Sequence, residues 1–298
     1  MIEVLLSTHN GDAYLPALLD SLLGQEYPDL HLVVRDDGSQ DRTVKILGQY
    51  ASRFAELEVH QGHHIGALGS FSVLLRSEPA AELTALCDQD DVWHPWKLAR
   101  AVAALEGSAA VPTLYASGLT VVDAALRQRG AGRRPGRRLG FANALVECPL
   151  HGCTMVLNGR ARSLVAEYIP ESAMSHDWWV YLVVAAFGRV IYDPTPTLLY
   201  RRHAGAVTWQ AGSVATWAMR CRRFLELGPQ RAVYRQADAF GSVFGARLAP
   251  ELRAILDRFL GGSGSFASRL SYAMRAEVYR QAPIDNLVLR VQLLTAHL

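Results

Sequence analysis

The chain has 298 residues, half of them apolar and 19% charged, with a formal net charge of +2. This composition predicts a globular chain with a sizeable core and excludes a disordered or low-complexity protein. The charge is uneven, because residues 214–298 hold twelve arginines against six acidic residues, which leaves the preceding part acidic. We expect different partners for the two regions, and no nucleic acid among them.

The four cysteines form no CxxC pair and lack the spacing of a zinc site, which favours buried thiols in a reducing compartment. The longest apolar run, 178–187, is too short to span a bilayer. Glu3 and His9 interrupt an N-terminal segment without a basic start, so we expect no signal peptide. The sequence thus predicts a cytoplasmic protein, with any membrane contact peripheral and at the inner face of the cytoplasmic membrane.

In the first part of the chain, apolar runs typical of strands alternate with segments of helical spacing. Four such runs precede polar turns, at residues 2–6, 30–34, 57–60 and 83–86. This alternation predicts parallel strands, with ligands bound beyond their carboxyl ends. Thr8, Asp36 and Asp37 should therefore share one rim with the loop after the fourth strand.

That loop, Asp88-Gln89-Asp90-Asp91, holds three carboxylates in four residues. Carboxylates so close together repel one another, which favours a bound cation. Oxygen ligands on a short loop favour Mg²⁺ or Mn²⁺, shared with a substrate diphosphate. The alternative is a solvated acidic turn, with Asp91 satisfying backbone donors at the start of a helix near Pro95.

Three motifs together resemble the family 2 glycosyltransferases of the GT-A fold: Ser7-Thr8-His9-Asn10-Gly11, Asp36-Asp37-Gly38-Ser39 and Cys87-Asp88-Gln89-Asp90-Asp91-Val92-Trp93. The Asp-Gln-Asp-Asp-x-Trp form is similar to a rhamnosyltransferase-like branch. The resemblance implies an α/β, Rossmann-like mixed, mainly parallel sheet flanked by helices. The catalytic domain would cover 1–212, with nucleotide-sugar binding in about 1–110 and the acceptor part in about 111–212.

The resemblance also implies roles on the donor side. Contacts to the nucleotide are expected from Thr8, Asn10, Asp36, Asp37, Asp88, Arg202 and His203. The Asp-x-Asp pair Asp88 and Asp90 would hold the metal, and His203 would complete its shell. A basic residue, Arg201 or Arg202, would stabilise the leaving diphosphate. Taken alone, a histidine after two arginines is more often a surface residue than a ligand.

Asp177 is the candidate for acid–base chemistry. Ser175 can cap a helix that places Asp177 in its first turn, where a carboxylate is also simply stabilising. The resemblance implies that Asp177 is the general base that takes the proton of the acceptor hydroxyl. The sugar and acceptor pocket would be lined by His151, Gly152, His176 and Trp178. His176 replaces the usual Glu, and packing roles for His151 and Trp178 remain open.

The remaining segments are predicted by pattern alone. Residues 127–138 predict an arginine-rich loop, 141–146 a short helix, and 189–192 and 197–200 two strands separated by 193–196. From residue 213 a helical C-terminal appendage is expected. Its first helix, with Trp217, Arg220, Arg223 and Phe224, would lie on an anionic membrane or pack on the catalytic domain.

Together these features predict an inverting, metal-dependent glycosyltransferase. It would move rhamnose or a similar hexose from a nucleotide-diphospho-sugar to a hydroxyl of a glycan or lipid-linked acceptor. dTDP-rhamnose is the favoured donor, with a UDP-sugar as the second candidate. One alternative is a non-catalytic nucleotide-sugar-binding or assembly protein, which His176 leaves open. The other is a sugar nucleotidyltransferase, for which residues 8–11 are a poor match.

Overall fold

The structure is a computed structural model that describes residues 1–27, 29–203, 232–262, 264–295 and 298. The strands of its sheet are Ile2–Thr8 (β1), Leu30–Asp36 (β2), Glu56–Gln61 (β3), Leu83–Asp88 (β4), Val92–Trp93 (β5), Thr113–Asp123 (β6), Gln128–Ala131 (β7), Met155–Asn158 (β8) and Arg189–Arg202 (β9). The α-helices among the described residues are Leu15–Leu23 (α1), Thr43–Tyr50 (α2), Gly66–Arg76 (α3), Lys97–Leu105 (α4), Phe141–Ala144 (α5), Gly159–Ala166 (α6), His176–Phe187 (α7), Ala232–Phe244 (α8), Pro250–Gly261 (α9), Phe266–Arg275 (α10) and Pro283–Thr295 (α11).

The strands form one mixed sheet in the order β3-β2-β1-β4-β8-β6-β9-β5, with β7 paired to β6. The pairings among β3, β2, β1 and β4 are all parallel, as their alternation with α1, α2 and α3 predicts. β8 then joins β4 and β6 antiparallel, while β6 and β9 pair in parallel. The predicted α/β fold with a mixed sheet flanked by helices is confirmed.

Helices cover both faces of the sheet because its central strands are apolar on both sides. Along β1, Val4 and Leu6 belong to one buried cluster and Leu5 to the other, as the two-residue period of a strand requires. The first cluster includes side chains of α1, α2 and α4. The second includes side chains of α3, α6 and α7. The loops at the two ends of the strands are therefore left to form sites.

A buried ion pair lies at the amino ends of the parallel strands. The Arg162 guanidinium donates to the carboxylate of Glu3, and both side chains are at most 2% exposed. Arg162 also donates to the carbonyls of Leu74 and Ser77, at 3.1 and 3.0 Å. The contact joins β1, α3 and α6, and it leaves the other end of the sheet for chemistry.

The C-terminal helices pack on the sheet domain through aromatic side chains. Phe240 and Phe244 of α8 lie 6.1 and 6.3 Å from the Trp179 ring, and both approach Phe187. Trp179 itself is fully buried and belongs to the core. The buried cluster around α7 thus continues without interruption into α8 and α9.

Three predicted elements differ from the observed ones. Residues 189–202 form one strand, because shifts of register near Ser117 and Gly118 of β6 accommodate the prolines at 194 and 196. Part of the predicted loop 127–138 pairs with β6 as β7. The helix expected over 141–146 ends at Ala144.

Some predictions fall outside the described residues. One is the helix that carries Trp217, Arg220, Arg223 and Phe224. The expected domain boundary at residue 212 falls there too and stays a prediction. Within the described part of the chain, no helix has both the length and the apolar character needed to cross a membrane.

Candidate active site

The parallel strands bring predicted residues to one rim of the sheet. Thr8 lies opposite Asp36 in the register of β1 with β2, and Ser7 lies opposite Asp88 in that of β1 with β4. The Thr8 hydroxyl donates a hydrogen bond of 3.0 Å to Asp36, and both side chains are buried. The predicted convergence of these strand ends is confirmed.

The turns after β1 and β2 are joined around Asn10. Its φ of 46° lies in the left-handed region, which Asn tolerates better than most residues. Its side-chain oxygen accepts a hydrogen bond of 2.8 Å from the N–H of Gln40, and its own N–H donates to the Ser39 hydroxyl at 2.9 Å. Asn10 is thereby fixed on the rim and exposed to solvent, and its contact with a nucleotide stays a prediction.

The acidic loop is clipped to the turn after β1 by Gln89. The Gln89 side chain accepts from the N–H of His9 and donates to the carbonyl of His9, both at 2.9 Å. A Cβ at Gly11 would come within 2.2 Å of the Gln89 side-chain oxygen, so any larger residue there would displace Gln89 from this position. The two loops therefore behave as one unit.

Both oxygens of Asp37 are engaged by groups of the protein. Arg35 and the N–H of Ile65 donate to Oδ1, and the N–H of Gly66 donates to Oδ2. Burial opposes the charge of Asp37, but these donors hold its pKa below the usual value. Because Ile65 and Gly66 begin α3, Asp37 fixes that helix to β2. The nucleotide contact expected of Asp37 stays a prediction.

The carboxylates of the acidic loop are held in an unfavourable environment. Burial, together with the charges of Asp90 and Asp177, raises the pKa of Asp88 to about 7. Asp91 is fully buried, and burial with the neighbouring Asp90 and Asp88 raises its pKa as well. Its Oδ2 atom is buried and has no N–H or O–H donor in the described part of the chain. The repulsion predicted from the sequence is present.

Asp91 does not stabilise the start of the next helix, so the alternative role considered for it is wrong. α4 begins at Lys97, and no side chain caps it. Instead, the N–H of Arg201 donates to Asp91 at 3.2 Å. The Arg201 guanidinium also donates to the carbonyl of Asp90 at 2.8 Å. The end of β9 therefore anchors the acidic loop, a role of Arg201 that the sequence did not indicate.

The predicted metal ligands Asp90 and His203 lie together. His203 Nε2 is 2.9 Å from Asp90 Oδ2. The ring of Tyr14, after the first strand, lies 4.6 Å from the His203 ring and 4.6 Å from the Arg201 guanidinium. The segment after β9 therefore approaches the acidic loop, as the resemblance implied.

Asp177 lies in the first turn of α7, and Ser175 caps that helix as predicted. Asp177 Oδ1 accepts hydrogen bonds from the Ser175 hydroxyl and, at 2.8 Å, from the N–H of Trp178. Within the described residues, no group donates to the other oxygen, Oδ2. The charge of Asp177 contributes to the raised pKa of Asp88, so the two carboxylates are close enough to interact.

The residues at 152 and 176 pack against each other beside Asp177. The His176 ring stacks on Phe71 with 3.9 Å between ring centroids, and its buried Nε2 has no partner among the described residues. Burial lowers the pKa of His176, although the charge of Asp177 acts in the opposite direction. A Cβ at Gly152 would come within 2.7 Å of His176 Nε2. Gly152 therefore lies directly against His176, and its place in a sugar pocket stays a prediction.

His151 and Trp178 lie near the same helix start. Burial lowers the pKa of His151, Asp177 raises it, and Arg202 lowers it, so these three groups interact. The Trp178 indole N–H donates to the carbonyl of Ala144 at 2.6 Å. The polar edge of Trp178 is therefore used inside the protein, and contacts of His151 and Trp178 with a sugar stay predictions.

Two residues of the site were missed in the sequence. Cys153 forms a group with Asp88 and Asp91 whose potential ligand atoms all lie within 4.8 Å of one another. Lys97 is fully buried, donates to the carbonyl of Cys153 at 2.9 Å and lies over the Trp93 ring. Burial lowers the pKa of Lys97 to about 8. Neither residue belongs to a sequence motif. Cys153 lies just before the antiparallel strand β8, which brings it to the site, and Lys97 is the first residue of α4.

The oxygen donors of the acidic loop fit a hard divalent cation. Asp88 and Asp90 are half-buried carboxylates, and beside them lies the Asp91 oxygen that has no N–H or O–H donor in the described part of the chain. Burial raises the pKa of Cys153 well above its usual value, so this neutral thiol is a poor ligand for Mg²⁺ or Mn²⁺. The carboxylates are the groups whose charge a cation would relieve.

Comparison with known proteins gives a consistent picture. The family model described as Glycosyl transferase family 2 matches residues 3–167. An uncharacterized protein of Mycobacterium tuberculosis (strain ATCC 25618 / H37Rv) is 26% identical over 211 residues, or 69% of this chain and 60% of that protein. The dTDP-rhamnosyl transferase RfbG of Shigella flexneri is 24% identical over 217 residues, or 66% of this chain and 71% of that protein.

Among solved structures, S. aureus TarS 1–349 in complex with UDP-GlcNAc superimposes with a TM-score of 0.57. The sequences are 16% identical, and the match covers 96% of this chain and 88% of that one. At this identity the likeness concerns the fold. The chain spans about 60% of the length of the mycobacterial relatives it matches.

Proposed function

The chain belongs to glycosyl transferase family 2, and we propose that it transfers a sugar from a nucleotide-diphospho-sugar to a hydroxyl group of an acceptor. The observation that carries the proposal is the meeting of two kinds of carboxylate at one rim. Asp88, Asp90 and Asp91 form a crowded acidic loop, and Asp177 approaches it from a separate helix. Such an arrangement suits a cation with a diphosphate on one side and a proton acceptor on the other.

In this proposal Asp177 is the general base. Its Oδ1 is held by Ser175 and by the N–H of Trp178, which orients the carboxylate and leaves Oδ2 for the acceptor hydroxyl. The hydroxyl loses its proton to Asp177 as its oxygen attacks the anomeric carbon. A single displacement with one base inverts the configuration at that carbon. The close packing of Gly152 against His176 supports this role because it fixes the start of α7.

The donor diphosphate lies, in this proposal, against the acidic loop. Asp88 and Asp90, with His203 beside Asp90, would hold Mg²⁺ or Mn²⁺, which neutralises the departing diphosphate when it is bound. Arg202 would add positive charge to the same leaving group, supported by its interaction with His151 and by the position of β9. Thr8, Asn10, Asp36 and Asp37 would contact the nucleoside, since they surround the ends of β1 and β2.

The donor and acceptor are proposed from likeness alone. RfbG supports dTDP-rhamnose as donor, whereas TarS with bound UDP-GlcNAc supports a UDP-sugar. We favour dTDP-rhamnose, because the Asp88-Gln89-Asp90-Asp91 form resembles the rhamnosyltransferase-like branch. A glycan or lipid-linked hydroxyl is the proposed acceptor. In the proposed division of the chain, residues 1–212 are catalytic and 213–298 form a helical C-terminal region.

The test is transfer by the wild-type chain and by Asp177→Asn. dTDP-rhamnose and UDP-sugars are supplied in turn with Mg²⁺ or Mn²⁺, and release of nucleoside diphosphate is measured. Asp177→Asn should lower kcat by about 10²–10⁴-fold, because the base is lost, while donor binding followed by thermal shift is retained. Asp238→Asn, an exposed change on α8, serves as the control.

The same assay separates the alternative. A non-catalytic nucleotide-sugar-binding protein would melt at a higher temperature with its ligand and yet release no nucleoside diphosphate. A wild-type chain that neither binds nor turns over any of these donors would overturn the proposal.

A further inference from the structure

The last two helices form an antiparallel hairpin. The Arg269 guanidinium donates to the carbonyl of Leu294 at 2.9 Å, and that of Arg290 donates to the carbonyl of Ala273 at 2.8 Å. The start of α10 thus lies beside the end of α11, and positions 269, 273 and 290 face the neighbouring helix. Tyr272 and Leu289 are buried, and the Tyr272 ring lies 6.2 Å from the Phe259 ring of α9, so this side of the hairpin packs on the rest of the protein.

The hairpin carries a continuous apolar face. In an antiparallel pair, the residue that follows an inward-facing position on either helix turns by 100° to the same side of the pair. Leu270 and Met274 therefore share one side with Val291. Leu287 and Ile284, one and two turns before Val291, lie on that side as well. We call the resulting set the hairpin face, and it consists of Phe266, Leu270, Met274, Ile284, Leu287 and Val291. These side chains are 40–70% exposed.

Exposed arginines border the connection between the two helices. The arginine-rich segment after β7 docks there, with the N–H of Arg137 donating to Gln281 at 2.7 Å and Tyr279 donating to the carbonyl of Arg138 at 2.7 Å. Three exposed arginine side chains of this segment form no ion pair with a carboxylate of the described residues. We call them the basic edge, and they are Arg134, Arg137 and Arg138.

The chemistry of the hairpin indicates what covers it. Residues 264–295 contain two acidic side chains, and both are already paired, Glu277 with Arg258 at 2.7 Å and Asp285 with Arg133 at 2.9 Å. A second copy of this surface would therefore bring no unpaired carboxylate to the basic edge. A surface with an apolar interior and anionic groups at its boundary complements both features.

We propose that the hairpin face and the basic edge bind the surface of an anionic lipid bilayer. The apolar side chains enter the boundary between headgroups and acyl chains, and the arginines meet lipid phosphates. Binding of this kind grows with buried apolar area and with attraction to anionic lipid. The inference does not depend on the proposed transfer reaction, because neither the hairpin face nor the basic edge belongs to the candidate active site.

The experiment is co-sedimentation of the full chain with vesicles of phosphatidylcholine, with and without phosphatidylglycerol. We expect binding to the anionic vesicles and weaker binding at high salt, which screens the arginines. The double variant Leu270→Gln/Leu287→Gln should bind at least about tenfold more weakly, because it lacks two of the apolar side chains that enter the bilayer. Val111→Gln/Val243→Gln removes two exposed valines elsewhere and should bind as the wild type does.

A second set of variants tests the charge. Arg134→Gln/Arg138→Gln should weaken binding to anionic vesicles by roughly thirtyfold, because two basic residues near the surface are lost and each contributes about fivefold to the affinity. Thermal melting of each variant verifies that it is folded. Two results would overturn the proposal. One is a folded Leu270→Gln/Leu287→Gln variant that binds as tightly as the wild type. The other is a wild-type chain that binds no vesicles and is a dimer in light scattering, when Leu270→Gln/Leu287→Gln is a monomer.

Discussion

Two groups of buried charge lie at opposite ends of the same parallel strands, and the chain treats them differently. At the amino ends, the Glu3 carboxylate meets the Arg162 guanidinium, whose remaining N–H groups reach backbone carbonyls. At the carboxyl ends, Asp88 and Asp91 have raised pKa values. Among the described residues, no Lys or Arg side chain forms an ion pair with either of them.

The difference shows at which end the protein itself compensates the buried carboxylates. A buried carboxylate is tolerated when a positive partner and hydrogen bonds compensate its loss of water, as at Glu3. Where compensation is absent, as at Asp88 and Asp91, the buried carboxylates destabilise the folded chain. Such carboxylates are explained by a role other than stability. Binding of a cation and a diphosphate at the acidic loop is that role in the proposed function.

Breaking the paired end should give the largest effect on stability. Arg162→Met leaves Glu3 buried without its partner, which should lower the free energy of unfolding by about 3–5 kcal/mol. Denaturant unfolding measures this loss. The double variant Glu3→Leu/Arg162→Met should recover part of it, since no charge is left buried. Equal instability of the single and double variants would contradict the ion-pair explanation.

The corresponding change at the unpaired end should act on activity instead. Asp88→Asn removes a proposed cation ligand, and kcat should fall by about 10²–10³-fold because the leaving charge is less well stabilised. Its melting temperature without cation should stay the same or rise, because a repelled carboxylate has gone. A matched Asp238→Asn variant should change neither quantity. Full activity of Asp88→Asn in the presence of a chelator would contradict the metal assignment.

A smaller effect is expected where packing rather than charge sets the site. In Gly152→Ala the new methyl group meets His176 Nε2, and the Asp177 Cβ lies 3.4 Å from it. Displacement of the base should lower kcat by about tenfold while donor binding is kept. Gly48→Ala, where no atom lies within 4 Å of the added Cβ, is the control. Unchanged turnover in Gly152→Ala would show that the start of α7 can shift without cost.

The smallest effect concerns pH. Because folding raises the pKa of Asp88 from 3.8 to about 7, its contribution to stability is fully present below pH 3.8 and is lost as pH rises through about 7. The melting temperature of the cation-free chain should therefore fall over this range. Mn²⁺ competes with protons and should raise the melting temperature more above pH 7 than below it, by roughly 2 °C or more. In Asp88→Asn this difference should shrink.

Much of the rim could be predicted because it depends on local patterns. Strand ends follow from apolar runs, and parallel pairing then brings Thr8, Asp36 and Asp88 to one edge. The Ser175 cap likewise follows from a pattern of neighbouring residues. Cys153, Lys97 and the anchoring role of Arg201 could not be found in this way. Cys153 lies just before β8, Lys97 donates to its carbonyl, and Arg201 lies near the end of the long strand β9. No periodicity in the sequence records pairing between distant segments.

The break expected at residues 193–196 has a similar origin. Two prolines favour the end of a strand, because proline cannot donate to the ladder. The strand nevertheless continues, because β6 shifts its register at Gly118, where a Cβ would lie 2.7 Å from the carbonyl oxygen of Pro194. A local rule was overridden by a partner strand far away in sequence. It is this continuity that carries Arg201 to the acidic loop.

The side-chain amide of Gln89 takes the place of a backbone peptide group. By bonding to both the N–H and the carbonyl of His9, it adds one more rung to the pairing of β1 with β4, beyond the point where the two backbones part. The entropy of ordering these loops is therefore lost when the chain folds. A ligand that arrives later meets a preorganised rim, and its affinity is not reduced by the cost of arranging one.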